Sequence, residues 1–265
     1  MEIAGGYIAS VLIGISLGLI GGGGSILTVP VMVYLFGINA ELATVYSLFI
    51  VGCTSVIGSI SYFKKQLVDV SIGLFFGLPA IVAIFLTKLY LLPAIPNPIL
   101  TTDFFILTKS SLLMLLFALL MLAASWSMIK RKVSTEHNTM EGLPQKIRTV
   151  AQGLFVGCIT GLIGAGGGFL IIPALVNLLR LPMKKAIGTS LFIISINALS
   201  GFAFSLTKFS IEWNFIITIA AIAIVGILIG SYLSTKISGT KLKPAFGWFI
   251  LLMGLYIIIK ETIFN

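Results

Sequence analysis

Eight apolar runs follow one another along the chain, at residues 3–36, 42–63, 67–87, 105–129, 149–179, 186–207, 213–235 and 245–259. Most approach or exceed the ~20 residues that a helix needs to cross a hydrocarbon core about 30 Å thick. The expected fold class is therefore all-α, a polytopic membrane protein with about eight membrane segments. Only 9% of the 265 residues are charged, against about 25% in soluble domains. That excludes a soluble enzyme, a secreted disulfide scaffold and a disordered tail. Cys53 and Cys158 lie inside apolar runs without metal-ligand spacing and read as small core residues. The net charge of +9 sits in short loops between runs, where it sets orientation in a bilayer, so nucleic acid is not an expected partner. Glu2 is the only charge before the first run. A secretory signal would open with basic residues, so the N-terminus is expected to stay on.

The one long polar stretch runs from Lys130 to Arg148 and contains the only histidine, His137, which reads as solvated. It separates four runs from four. The expected organisation is a first membrane repeat over 1–129, a basic cytoplasmic linker over 130–148 and a second membrane repeat over 149–265. Displacing the chain by 143 residues aligns Gly18–Val70 with Gly161–Trp213 without a gap, and 17 of the 53 pairs are identical. This is the signature of an internal duplication. GLIGGGGSILTVP (Gly18–Pro30) matches GLIGAGGGFLIIP (Gly161–Pro173), and Ser47-Leu48-Phe49-Ile50 matches Ser190-Leu191-Phe192-Ile193. Gly/Pro-interrupted apolar segments at corresponding places in two halves point to a transporter's binding site. Pro30 and Pro173 themselves read as structural kinks.

Runs 3–36 and 149–179 are each cut by glycines into a longer part and one of about 12 residues. At about 1.5 Å per residue the second part spans only ~18 Å, too little for a crossing. Each run is either one bent crossing or a re-entrant hairpin. Leaving out Lys109, which lies within a run, eight full crossings put nine Lys/Arg inside and seven outside, whereas two hairpins put 13 inside and three outside. The excess of basic residues in cytoplasmic loops favours the hairpins. The halves would then be inverted, with both termini outward and the two glycine runs meeting near the midplane.

Glycines admit positive φ and close approach of a ligand, and the short helix after each run offers free N–H groups and the positive end of its dipole. The competing reading is that the glycines serve close helix packing. All eight acidic residues fall at run ends or in the linker, which argues against a cation site or a carboxylate proton relay. Glycine backbone and neutral hydroxyls remain, a combination suited to a small oxyanion. The expected substrate-binding residues are Gly21, Gly23, Gly24 and Ser25 in the first break and Gly164, Gly166, Gly167 and Gly168 in the second. Thr44, Ser47, Thr189 and Ser190, at the start of the following spans, complete the set; hydrogen bonding to their own helices is the alternative use of these hydroxyls. Lys65 and Lys208 are repeat partners, as are Asp69 and Glu212. Snorkelling lysines and helix-start acids explain them, and Lys109 reads as snorkelling too. No nucleophile with a base, no metal-ligand cluster and no phosphate-binding lysine after Gly21–Ser25 is found, so neither an enzyme nor an ATPase is expected.

These two glycine motifs, each followed by a span opening near Ser-Leu-Phe, resemble the sulfite exporter TauE/SafE family of membrane permeases over essentially the whole chain. The resemblance implies a secondary transporter in the cell membrane for sulfite, thiosulfate, sulfonates or related organosulfur compounds, without a cofactor. It places the family's glycine motifs on Gly21, Gly23 and Gly24 and on Gly164, Gly166, Gly167 and Gly168. Ser25 stands where the second repeat has Gly168, so the two tips need not bind alike. The expected partners are the small anion, the bilayer and a coupling ion, a proton or sodium. A permease or channel for another small anion, and a scaffold subunit of a sulfur-metabolising complex, remain as alternatives.

Overall fold

The computed structural model of the protein describes residues 2–22, 24–96, 100–102, 105–107, 109–130, 143–163, 168–206 and 209–263. Helices occupy each of the eight apolar runs. The first run forms α1 (Glu2–Ile20) and α2 (Gly24–Tyr34), followed by α3 (Ala40–Phe63) and α4 (Val70–Leu86). A π-helical turn (Thr87–Leu91) and the short α5 (Leu92–Ala94) extend α4, and a three-residue ladder of β1 (Leu100–Thr102) with β2 (Phe105–Leu107) precedes α6 (Lys109–Lys130). The second half repeats the plan with α7 (Leu143–Ile163), α8 (Gly168–Pro173) with a π turn (Ala174–Leu178), α9 (Met183–Ser205), α10 (Trp213–Lys236) and α11 (Gly239–Ile263). Among the described residues, five stretches are long and apolar enough to cross a membrane: Glu41–Phe63, Val70–Leu91, Met183–Ser205, Trp213–Lys236 and Gly239–Ile259. α7 and α11 each start six residues before their apolar runs. Their first two turns carry Lys146 and Arg148, and Lys241 and Lys243, and a basic helix start does not register as apolar even though it is helical.

The first glycine break makes a hairpin. A methyl built on Gly24 would lie 2.5 Å from the Ile13 carbonyl and from Leu17, both on α1. At the open end, the Tyr7 and Phe36 rings stand 6.0 Å apart. The chain thus returns to the end from which α1 set out. In the second half, Asn177 just past α8 approaches the Met128 sulfur at 3.6 Å, near the close of α6. Lys146, in the first turn of α7, lies over the Phe75 ring near the start of α4.

Packing follows the 143-residue offset. α1 runs parallel to α10, with Gly18 against Ile227 and Ser231. α7 runs parallel to α4, with Gly161 against Ile84 and Thr87. Each half therefore lends its first helix to the fourth helix of the other. Small residues allow this, because without a hydrophobic drive between helices in lipid the gain comes from close backbone contact. The repeat partners α3 and α9 cross antiparallel at the centre: a methyl on Gly58 would meet Leu191 at 3.1 Å, and one on Gly201 would meet Leu48 at 3.3 Å. Tyr46, Tyr62, Ile187, Leu191 and Ile194 are fully or almost fully buried in the core that these two helices share, while Ile50 of α3 turns to Met32 of α2 and Ile219 of α10.

The same exchange operates at the helix starts. The Asp69 backbone N–H donates to the Thr189 hydroxyl at 2.9 Å, and the Glu212 N–H donates to the Tyr46 hydroxyl at 3.0 Å. Tyr46 and Thr189 are themselves repeat partners. Asp69 also accepts from the Ile72 N–H at 3.0 Å and so caps α4. Asp69→Ala is expected to lower stability by about 0.5–2 kcal/mol, the usual cost of a lost N-cap. Thermal unfolding in detergent measures it, and an unchanged midpoint would show that the cap contributes nothing.

Candidate functional site

The hairpin tip is built by Gly21. Its N–H donates to the Leu17 carbonyl at 2.7 Å, closing α1, and its φ of +83° turns the chain towards α2. That left-handed conformation favours glycine. The position is also crowded: a methyl there would stand 2.7 Å from the Ser190 Oγ of α9 and 2.9 Å from Ile172 of α8. The tip of the first repeat thus rests against the second repeat, beside a predicted site hydroxyl. Tyr62 of α3 fastens the turn before the tip, donating its hydroxyl to the Gly18 carbonyl at 2.8 Å.

The two breaks meet. A methyl on Gly168, the first residue of α8, would lie 3.1 Å from the Ser25 Oγ of α2 and 2.8 Å from Ile194. Ser25 and Gly168 are repeat partners, so the contact joins equivalent points of the two halves. Gly21, Ser25, Gly168 and Ser190 all share this buried region. Gly24 is buried too and faces α1. Gly23, Gly164, Gly166 and Gly167 lie outside the described residues.

The hydroxyls are partly committed. Ser25 donates to the Gly22 carbonyl at 2.7 Å, Ser190 to the Ile187 carbonyl at 2.8 Å and Thr28 to the Gly24 carbonyl at 3.0 Å. These are bonds within their own turns, the alternative that their positions allowed. Each oxygen keeps lone pairs but has spent its proton, so donors to an anion here come from backbone N–H groups at the helix starts. Thr189 accepts from Asp69 and therefore supports the cross-repeat seam as well. Ser47 is buried on α3 and Thr44 is half-buried one turn earlier.

No carboxylate approaches the tips among the described contacts: Glu41 is exposed at the start of α3, Asp69 caps α4 and Glu212 precedes α10. Lys65 stays exposed and reaches the Ser231 carbonyl on α10 at 3.4 Å, as a snorkelling side chain near a helix end would. Among the described residues no group of three His, Cys, Asp or Glu could hold a metal ion. Cys53 and Cys158 are free thiols. With hydroxyl and apolar walls, a left-handed glycine turn and two helix starts close together in one buried region, the arrangement offers a small anion backbone N–H groups rather than charged side chains.

A second set of glycines, of which Gly18 alone belongs to the glycine motifs, seats α1 on α10. Gly14 and Gly18 of α1 interlock with Gly226 and Gly230 of α10; a methyl on Gly226 or Gly230 would stand 3.0 Å from the Cα of Gly14 or Gly18. A spacing of four places both glycines of each pair on one helix face, the small-xxx-small signal. That signal is present in the sequence, but it does not name the partner helix.

Comparison with known proteins places the chain in a family. The chain matches the family described as sulfite exporter TauE/SafE over residues 7–257. It is 30% identical to a probable membrane transporter protein of Xylella fastidiosa (strain 9a5c), over 93% of this chain and 91% of that one. It is 25% identical to the probable membrane transporter protein YunE of Bacillus subtilis (strain 168), over 98% and 99% of the two chains. A probable membrane transporter protein of Methanocaldococcus jannaschii is 24% identical, over 95% of this chain and 94% of that one. With the duplicated glycine motif, the apolar helices and a family match from end to end, the chain belongs to the sulfite exporter TauE/SafE family of membrane transporters.

Proposed function

We propose that the protein is a secondary transporter of a small sulfur-containing anion, such as sulfite, thiosulfate or a simple sulfonate, bound near the midplane of the cell membrane by the two glycine breaks. The observation that carries this reading is the approach of Ser25 to Gly168, which brings repeat-equivalent helix starts to one buried place. The sulfite named in the family's description supports the substrate class. The antiparallel crossing of α3 and α9 supports an inverted repeat, because equivalent helices run in opposite directions. Helix contacts gather the ends bearing Lys64, Lys65, Lys130, Lys146, Lys184, Lys236 and Lys241 on one side. This supports a cytoplasmic position for that side and for the linker, with both termini outward. A proton or sodium gradient drives the cycle.

The test is flux of radiolabelled sulfite, thiosulfate and a simple sulfonate into proteoliposomes holding the purified protein, with sulfate and chloride as competitors. Saturable flux of a sulfur anion, competed by its congeners, is expected. Flux of chloride or sulfate instead would identify a different anion permease. No flux under either gradient would favour the scaffold reading.

A further inference from the structure

A cavity of about 700 Å³ opens between the start of α3 and the final turns of α4 and α9. Ile84 and Phe85 of α4 face Asn197, Ser200 and Ser205 of α9 across it, with Glu41 of α3 at the margin. The Asn197 amide oxygen is shut off from solvent and has no hydrogen-bond partner among the described residues. Asn197 follows Ser190 by seven residues, so at 3.6 residues per turn the two share one face of α9, about 10 Å apart. Ile193 and Ile194, both fully buried, stand on that stripe between the two and form the floor that separates the cavity from the hydroxyl beside Gly21.

Displaced by 143 residues, the cavity walls become Ile227 and Leu228 of α10, Thr54, Ile57 and Tyr62 of α3, and Lys184 of α9. Because α3 and α9 cross antiparallel, this set lies at the opposite end of the molecule. There the space is filled. Ile227 closes on Gly58, where a methyl would meet it at 2.6 Å. The Ser61 and Ser231 hydroxyls stand 3.2 Å apart, Lys65 Nζ donates to the Ser231 carbonyl at 3.4 Å, and Lys184 Nζ donates to the Thr235 carbonyl at 2.9 Å. Two halves with the same packing thus hold the same interface in two arrangements, filled at one end and, at the other, enclosing a cavity beside which the Phe85 and Phe204 rings meet at 4.9 Å.

We infer that the cavity is the vestibule through which the substrate reaches the glycine breaks from the outer side, and that the Ser61, Lys65, Ser231 and Lys184 contacts are the closed gate at its counterpart on the cytoplasmic side. This rests on the transport reading and the orientation proposed above. Rocking one half against the other exchanges the two arrangements around a fixed central site. Charge biases the exchange. Lys184 sits at the C-terminal end of α10, where a cation is favoured by the helix dipole and the last carbonyls. Its repeat partner is Glu41, which would bring a carboxylate to the corresponding end of α4. Outer closure lacks the lysine bond and meets a repulsion instead, so the outward-open arrangement is the resting one.

Thiol accessibility in the full-length reconstituted protein tests this. In a Cys53→Ala/Cys158→Ala background, Ser200→Cys in the vestibule and Ser61→Cys in the gate are each exposed to a charged, membrane-impermeant methanethiosulfonate from either side. Ser200→Cys should label from outside at least tenfold faster than Ser61→Cys labels from inside. Adding Lys184→Met should raise Ser61→Cys labelling several-fold, and adding Glu41→Lys should lower Ser200→Cys labelling several-fold. Ser205→Cys serves as a second vestibule position should Ser200→Cys fail to fold. Equal rates at gate and vestibule would overturn the asymmetry. Labelling of the vestibule only from the cytoplasmic side would overturn its outward placement. The substrate reading fails separately, by the absence of sulfur-anion flux in the unsubstituted protein while the labelling asymmetry persists.

Discussion

Gly21→Ala is expected to lower sulfur-anion flux by about a hundredfold, the scale on which an ångström-level misplacement at a working site acts. The backbone at Gly21 has φ +83°, which costs an L-residue roughly 1–2 kcal/mol. The added methyl would stand 2.7 Å from Ser190 Oγ and 2.9 Å from Ile172. The two shortest contacts are with side-chain atoms that can rotate away, and the third, with the Ile187 Cα at 3.2 Å, asks for a shift of a few tenths of an ångström, so the fold survives at a total cost of about 1–3 kcal/mol. The tip does not keep its place, because the displaced Ser190 and Ile172 belong to the helices that frame the second break. Proteoliposome flux beside detergent melting curves separates the two effects. Combining Gly21→Ala with Ser190→Ala should recover part of the lost stability, since residues in contact couple in double-mutant cycles. Normal flux from folded Gly21→Ala protein would remove the tip from the binding site.

Gly18→Leu is expected to abolish the recovery of folded protein. A Cβ at this position would meet the Ile227 carbonyl oxygen at 2.5 Å, the Ser231 nitrogen at 2.6 Å and the Gly230 carbonyl carbon at 2.8 Å. All three are backbone atoms of one helix, and they cannot rotate aside as side chains do. α1 and α10 would have to separate along their length, taking with them the Tyr62 hydrogen bond to the Gly18 carbonyl. Overpacking alone costs about 1–3 kcal/mol, and loss of an interhelical seam adds to it, in a protein class whose total stability is roughly 5–15 kcal/mol. Gly5→Leu is the matched control, since a Cβ there has nothing within 4 Å. Size-exclusion profiles of the two variants after solubilisation decide the matter: a monodisperse Gly18→Leu peak of normal yield would show that the seam tolerates a gap.

The contrast between these two glycines shows what could be read along the chain. Gly18 and Gly21 stand three residues apart in one motif, yet one fills a helix seam and the other turns the chain. Both roles demand the absence of a side chain, so composition cannot separate them. Asp69 was legible as a helix-start acid because capping is local. The bond from its backbone to Thr189 was not, because it joins residues 120 positions apart. Thr189 and Ser190 were legible as buried hydroxyls, but whether a hydroxyl proton is free or spent on a carbonyl one turn back depends on a rotamer.

From its sequence alone the chain determined a helical membrane fold, the number and limits of its apolar runs, the duplication, and the two glycine breaks. Each of these follows from length, polarity or spacing, and the bilayer turns such local properties directly into structure. Tertiary structure alone decided that α1 seats on α10 and α4 on α7, and that Ser25 comes to Gly168. Those outcomes depend on which surfaces of distant helices fit closely enough to exclude lipid. A helix's hydrophobicity fixes that it enters the membrane, but in hydrocarbon every apolar face is equally solvated, so only the shape of the small-residue seams selects its neighbour.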